Sequence, residues 1–445
     1  MGPDYLRPEA VVSASYKEIK GWKPSRPRDD AAKGEWWRAF RDSTLDRLEP
    51  AVAISNQTLK ADVANYRQAL ALVSEARAGL FPTVNFDPSL TRSHGAGGTS
   101  NLLNAEVSGS WTLDVWGKVQ RSIEQQGAAA QASEADLANA TLSAQSALAL
   151  AYVTLREADS ARDLYADAAA QYQRSLQIAQ NQYDAGVAAK SDVITAQAQL
   201  LAAQAQEKDT EVSRQQSEHA IAVLTGRPPA ELSIGRGRLA DVVPTIPAGL
   251  PSDLLERRPD IAAAERVMAE QNAAIGVAIA GYFPSFTLSG AYGYVGDPFI
   301  AQIAGANPAW SIGASLAQPL FNGGLTDAQV EAARAAFDSA VAAYRQTTLA
   351  AFQQVEDALV ALRVYGEEIK IQTKAVSAAD QAVKIALNEY AAGTQNYTTV
   401  VTAEATALTD KQSLLATRAK RLDAAVNLVV ALGGGWSDDK LAAVK

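Results

Sequence analysis

Few residues in this chain are equipped for covalent or redox chemistry. Its 445 residues include no cysteine and two histidines, His94 and His219, far apart in sequence. Disulfides, thiol nucleophiles and thiolate metal sites are therefore excluded, and a histidine relay or histidine-rich metal centre has too little to draw on. No glycine-rich phosphate loop occurs, and no nucleophile stands beside a base in a recognisable motif. The expectation is a protein with no catalytic residue, no metal and no cofactor. What remains is local punctuation at two helix turns: Tyr183, Gly186 and Asp192 beside the first, and Tyr390 and Gly393 beside the second.

The elements that must position these groups come in two copies. Gly79-Leu80-Phe81-Pro82 recurs as Gly281-Tyr282-Phe283-Pro284, Tyr183-Asp184-Ala185-Gly186 as Tyr390-Ala391-Ala392-Gly393, and Leu224-Thr225-Gly226 as Leu432-Gly433-Gly434, in the same order. Such ordered self-similarity predicts an internal structural repeat. The boundaries expected are an N-terminal segment 1–45, a first repeat 46–247, a second repeat 248–435 and a tail 436–445. Each repeat reads as a helix stopped at Pro82 or Pro284, two strands, a long helix and a returning helix.

The strands are expected at about 83–92, 104–116, 285–296 and 308–318, because apolar and polar residues alternate there. Val84, Phe86 and Leu90 share one face, as do Val107, Trp111 and Leu113, then Phe286, Leu288 and Tyr292, then Trp310, Ile312 and Leu316. Their length suits a tilted strand crossing a bilayer, and aromatic residues gather near their ends. The same alternation also fits a sheet with one face on a helical core. Four strands cannot close a barrel, since roughly eight are needed, so membrane strands would require several chains.

The long helices are expected at about 118–184 and 325–391, with returns at about 190–225 and 395–432; each long stretch lacks proline and holds a single glycine, Gly127 or Gly366. Leu148 and Leu155, Tyr165 and Tyr172, and Leu176 and Tyr183 are spaced as in a coiled coil.

Composition supports a folded chain and narrows its partners. Hydrophobic residues make up 48 % and charged residues 20 %, with a net charge of −9 and no basic run, which argues against nucleic acid. No stretch reaches the ~18 apolar residues of a membrane helix. The best, from Ala273 to Phe283, is broken by Gly276 and Gly281, and Met1-Gly2-Pro3-Asp4-Tyr5 does not read as a signal peptide.

The ordered motifs resemble the outer-membrane factors of tripartite efflux systems, in the OprM-like branch of the TolC family. They are Pro3-Asp4-Tyr5-Leu6-Arg7-Pro8, Trp36-Trp37 with Phe40 and Asp42, Leu113-Asp114-Val115-Trp116-Gly117, Gly249-Leu250-Pro251-Ser252-Asp253-Leu254-Leu255, Arg257-Arg258-Pro259-Asp260 and Leu432-Gly433-Gly434-Gly435-Trp436. Each also has a purely structural reading: Ser252-Asp253 as a helix cap, Pro259 opening a helix, Arg257, Arg258 and Asp260 as an ion-pair cluster, and Trp36-Trp37 as packing.

The resemblance implies a membrane α+β fold: a homotrimeric, twelve-stranded outer-membrane β-barrel, four strands per chain, continued by a long α-helical periplasmic barrel. It implies a passive exit duct for small molecules, surrounded by outer-membrane lipid and served by a periplasmic adaptor and an inner-membrane RND-type pump. Loops at about 93–103 and 297–307 would face outside, and the turns at Gly186 and Gly393 would form the periplasmic tip. It further implies a native precursor with a signal peptide and a lipidated cysteine ahead of Pro3. Tyr183, Gly186, Val187, Gly393 and Thr394 would be the adaptor-docking tip, and Asp192, Tyr390, Thr398 and Thr402 the gate. Asp192 and Tyr390 match positions whose hydrogen bonds hold the tip closed, although Ser191-Asp192 also reads as a plain helix cap. The family often has an acidic residue in the constriction. Here Val400-Val401-Thr402-Ala403-Glu404 stands in that stretch, with Glu404 pointing elsewhere along the helix. A duct for protein secretion or metal-ion efflux, and a periplasmic coiled-coil scaffold without a channel, are the competing readings.

Overall fold

The computed structural model describes residues 1–7, 15–18, 35–241, 243–244, 246, 254–296 and 308–435. The expected loop 297–307, the cap at Ser252-Asp253, Pro8 and the tail from Trp436 lie outside them.

Each half begins with a helical lead-in: α1 (Ser43–Ser55) and α2 (Gln57–Ala78) in the first, the short α5 (Leu254–Arg257) and α6 (Pro259–Ile279) in the second. Asp42 and Asn56 cap α1 and α2 by accepting from first-turn amides that would otherwise lack partners. Pro259 opens α6 at its first position, where its missing N–H costs nothing. Arg258 holds that start by an ion pair with Asp260 at 2.6 Å and a hydrogen bond to the Ala431 carbonyl at 2.9 Å.

Four strands follow in a meander, β1 (Thr83–Gly95), β2 (Gly98–Leu113), β3 (Ser285–Gly296) and β4 (Pro308–Ala317), ordered β1-β2-β3-β4 and antiparallel throughout. Their register builds continuous rows. Phe86, Val107, Tyr292 and Trp310 lie side by side on one face, while Asn85, Ser108, Ala291 and Ser311 lie on the other. Leu113, Phe286 and Leu316 extend the apolar face, and Thr83, Ser110 and Ser289 the polar one. Among the described residues, no helix packs along either face of this sheet. The reading of one face resting on a helical core is thereby corrected.

The first hairpin is also longer than its composition suggests. The stretch 93–103, expected as an outer loop, is strand up to a two-residue turn at Ala96-Gly97. Side chains zip it together: the Ser93 and Ser100 hydroxyls lie 2.9 Å apart, and His94 Nδ1 lies 2.8 Å from Thr99 Oγ1. At its other end β2 stops at Leu113, before the expected residue 116, because the Asp114 carboxylate turns away to accept from the Val119 and Gln120 amides of the next helix.

Two helices of 67 residues leave the sheet, α3 (Lys118–Asp184) and α7 (Leu325–Ala391), and two of 35 residues return, α4 (Lys190–Leu224) and α8 (Tyr397–Ala431). At ~1.5 Å per residue the long ones span roughly 100 Å. Each packs on its return, and α3 also packs on α8, so the rod ranks as α4-α3-α8-α7. Leu148, Leu155 and Tyr172 are buried along the α3 seam, as their spacing predicts, but Tyr183 at its end is 40 % exposed. All four helices close on a left-handed glycine in a Schellman turn: Gly186, Gly226, Gly393 and Gly433. Gly226 and Gly433 are thus the matching caps. The alignment of Leu224-Thr225-Gly226 with Leu432-Gly433-Gly434 is one residue out, since extra glycines follow Gly433.

Midway along the rod, charged groups replace the apolar seam. Buried Asp159 accepts from Arg156 at 3.0 Å, Arg214 at 2.8 Å and the Gly237 amide at 3.1 Å. Arg214 also pairs with Glu218 at 3.2 Å, and Glu218 takes the Ile234 amide. Arg156 reaches the Gly235 carbonyl, and Tyr152 donates to Asp42, the cap of α1. The network therefore ties the stretch 234–237 and the α1 lead-in across α3 and α4. Trp37 is buried beside it, and Trp36 stands edge-on to Trp37 and to Phe40 at centroid distances of 6.0 and 6.2 Å.

Glu49 is buried in α1 with neither carboxylate oxygen partnered, and burial pushes its pKa from 4.5 up to about 9. The folded state therefore holds a proton that the unfolded chain releases, so stability falls as pH rises from 4.5 toward about 9. Glu49→Gln should remove that slope: wild type and variant differ little near pH 5, and the variant denatures at the higher temperature at pH 8. Parallel melting curves at both pH values would contradict it.

Candidate functional site: a sheet, a rod and a helix-turn tip

The tip is built by the two helix turns. At the first, Gly186 (φ 75°) donates to the Tyr183 carbonyl and Val187 to that of Gln182; at the second, Gly393 (φ 73°) donates to Tyr390 and Thr394 to Glu389. That backbone geometry penalises a side chain, and space around both glycines is open. Val187 is 65 % exposed, so the tip presents apolar surface together with Tyr183.

Behind the turns the helices converge. The Tyr390 hydroxyl donates to Asp192 Oδ2 at 3.3 Å, bridging α7 and α4, and Gln182 donates to the Ala391 carbonyl at 2.9 Å. Asp192 lies inside the first turn of α4, and the residue before that helix is Ala189, with no side-chain cap. The helix-cap reading of Ser191-Asp192 is corrected accordingly: Asp192 bonds across to the other hairpin instead. Tyr390 and Tyr397 are both buried, with ring centroids 5.1 Å apart, and Tyr397 donates to Gln199 at 3.3 Å. Burial, reinforced by Asp192, raises the Tyr390 phenol to about 12, and burial raises Tyr397 likewise. Both therefore remain hydrogen-bond donors through the physiological range.

One turn further along α8 the side chains divide. Tyr397, Val400 and Glu404 face inward and are buried, whereas Thr398 and Thr402 are exposed, the Thr402 hydroxyl donating to the Thr398 carbonyl at 2.9 Å. Glu404 accepts from Ser175 and leaves its second oxygen unpartnered; burial raises its pKa, with the Ser175 bond opposing. Glu404, the carboxylate within the stretch 400–404, is thus turned into the protein. The tip brings Asp192 and Tyr390 together, and no hydrogen bond among the described residues joins Thr398 or Thr402 to either. Tyr397, Gln199, Ser175 and Glu404 were missed as members of this cluster. The helical spacing from Tyr397 to Val400 to Glu404 was the signal that marked their shared face.

At the opposite end, aromatic side chains ring the base of the sheet. Trp116 stacks on Phe283 at 4.8 Å and donates to the Pro284 carbonyl at 2.7 Å. Residues 1–7 run down to this point: Tyr5 donates to Glu265 at 2.6 Å, Asn272 to the Pro3 carbonyl at 3.0 Å, and the Met1 amino group to the Trp116 carbonyl at 3.3 Å. No group of three or more metal-ligating side chains occurs among the described residues, and no helix among them is long and apolar enough to cross a membrane.

A two-faced sheet with open edges on a rod of paired helices defines one protomer of an outer-membrane channel. Residues 50–227 and 250–434 each match the outer membrane efflux protein family model, and the chain belongs to that family. It is 30 % identical to the toluene efflux pump outer membrane protein TtgC of Pseudomonas putida, over 98 % of this chain and 92 % of that one. It is 31 % identical to the pyoverdine export outer membrane protein OpmQ of Pseudomonas aeruginosa, over 93 % and 90 %. Its fold matches the solved outer-membrane channel OprN with a TM-score of 0.89 at 30 % identity, covering 98 % of this chain and 99 % of that one. CmeC of Campylobacter jejuni matches at a TM-score of 0.90 and 22 % identity, covering 99 % and 96 %, a likeness of fold alone. The protein is accordingly an efflux channel of the outer membrane, with its strands in the bilayer and its helices reaching into the periplasm.

Proposed function

We propose that three copies close one barrel and one helical tunnel, and that this trimer is the passive exit duct of a tripartite pump. The carrying observation is the sheet: apolar on one face, polar on the other, covered by helix on neither and open at both edges. In lipid, unpaired edges cost several kcal/mol per exposed backbone group, which favours closure with further copies. The apolar face then meets outer-membrane lipid, and the polar face lines water.

The two halves, 46–247 and 248–435, act as structural repeats, and their turns form the tip that a periplasmic adaptor grips. Tyr183, Gly186, Val187, Gly393 and Thr394 make that docking surface. The Asp192–Tyr390 bond holds the tip shut, and Thr398 and Thr402 line the constriction above it. An inner-membrane pump of the RND type supplies energy and cargo. The cargo is a small molecule, in keeping with the toluene and pyoverdine named for the relatives TtgC and OpmQ. The duct performs no catalysis, needs no cofactor and binds no nucleic acid.

Conductance in a planar bilayer tests this. The purified protein should open ion-conducting channels with modest cation preference, because the constriction carries threonine where a carboxylate ring would attract cations. Thr402→Asp installs three carboxylates per trimer and should raise the cation-to-anion permeability ratio several-fold. Unchanged selectivity would put the constriction elsewhere, and no conductance even when Tyr390→Phe releases the Asp192–Tyr390 bond would overturn the duct.

A further inference from the structure

Beside the buried network at Asp159 stand three arginines that the network does not use. They line a cavity of about 370 Å³ between α1, the end of α4 and the stretch 232–236. Its polar side chains are Arg47, Arg156, Arg227 and Arg236 with the hydroxyls of Thr44 and Ser233, and no carboxylate lines it. A cavity of one sign is out of keeping with a chain whose net charge is −9. Its walls are fixed before any ligand arrives. Arg47 is held on α1 by the Ser43 carbonyl at 3.2 Å. Arg227 follows the Schellman turn of α4, its amide bonded to the Ala222 carbonyl at 2.9 Å. Asn56 ties that turn to the start of α2 through the Leu224 carbonyl at 3.0 Å. Arg236 sits on the stretch that Asp159, Arg214 and Glu218 grip through the Gly237 amide and both backbone groups of Ile234.

Within the network two guanidiniums meet two carboxylates, so Arg156 and Arg214 are balanced there. The other three are not. Arg47 and Arg227 form no ion pair among the described residues, and Arg236 reaches only Glu211 at 3.8 Å, with both side chains about half exposed. A separate observation points the same way. The Arg156 side chain is only 9 % exposed; it spends Nε on Tyr152 and Nη1 on Asp159 and Gly235, and its Nη2 has no hydrogen bond among the described residues. A buried charged donor left over at a cavity wall is costly until a ligand meets it. We infer that this cavity binds a small anion carrying two or more carboxylate or phosphate groups. Planar guanidiniums match either group two bonds at a time, and the volume lies in the ~300–1,000 Å³ range of small-molecule sites, with room for more than a lone inorganic ion. Arg156 lies 38 residues beyond Lys118 on α3, roughly 55 Å from the sheet at ~1.5 Å per residue, so membrane headgroups do not reach it. The anion therefore comes from the periplasm, either as a free acid or as the carboxylates of the cell-wall polymer.

Isothermal titration of the detergent-solubilised protein with citrate and with pyrophosphate, in uncharged detergent at low salt, tests the site. At least one probe should bind saturably below about 1 mM, one per chain. R47Q/R227Q should weaken that binding at least about tenfold, since each hydrogen bond to a charged group is worth about that factor. Both arginines are exposed, so the double variant should keep the melting temperature of wild type. R236Q, on a different wall, should weaken binding as well, and Arg38→Gln, an exposed arginine outside the cavity, should leave it unchanged. Co-sedimentation with purified cell-wall sacculi separates the two sources. Retention of wild type but not of R47Q/R227Q, reversed by citrate, assigns the site to the wall polymer; equal retention of both, or of neither, assigns it to the free anion. No saturable binding of either probe, or binding that R47Q/R227Q and R236Q share with wild type, would overturn the site.

Discussion

Replacing Asp159 by alanine should lower the stability of the protein by about 3–5 kcal/mol, because it strands buried charges of one sign. Asp159 accepts from Arg156, Arg214 and the Gly237 amide, and all four network side chains, Arg156, Asp159, Arg214 and Glu218, are buried. Without it, two guanidiniums share the single carboxylate of Glu218 and the carbonyls of Ile234 and Gly235. Asp159→Asn keeps the shape and loses the charge, so it should fall between wild type and alanine. The exposed pair Arg238–Asp163, at 3.9 Å, is an internal comparison: breaking it should cost about 0–1 kcal/mol. Denaturant midpoints in one detergent distinguish these. Equal losses at the two sites would mean that the network does not hold the lead-in and the 234–237 stretch to the rod.

The second large effect is on transport. Gly186→Val with Gly393→Val should return a complemented deletion strain to the dye accumulation of the deletion itself. Left-handed backbone costs a side chain roughly 1–2 kcal/mol, most for a branched one, and both turns need it. A Cβ added at either glycine meets no other side chain or backbone atom within 4 Å, so no clash opposes folding, and particle mass should be unchanged. On the docking proposed above, the damage falls on the turn shape that an adaptor would meet. Gly186→Asn with Gly393→Asn should retain most transport, since asparagine tolerates this conformation. Full transport by the valine variant would show that docking does not depend on the turns.

The rod was legible in the sequence because helix punctuation is local. Absence of proline and the glycines after Asp184 and Ala392 set the limits of α3 and α7. Alternation likewise marked the strands, but their ends depended on partners: Asp114 left its strand for the amides of α3, and the glycines near residue 96 looked like loop although Ser93, Ser100, His94 and Thr99 hold them as hairpin. At the tip, Asp192 and Tyr390 came from resemblance and Tyr397 has a helical-spacing signal, whereas Gln199 emerges only when α4 meets α8. The network at Asp159 was hidden for a similar reason. Arg156 and Asp159 read as an ordinary pair on a helix surface, and Arg214 and Glu218 lie on a different helix. Long-range burial decides what such charges do, and spacing along one helix carries no record of it.

If this chain is one third of a channel, native mass spectrometry of the detergent-solubilised particle shows it. A trimer gives a protein mass about three times the 46.9 kDa of the chain and aggregates once detergent is withdrawn. A stable single chain of 46.9 kDa that stays dispersed without detergent would contradict it, leaving the sheet edges and apolar face with no membrane to explain them.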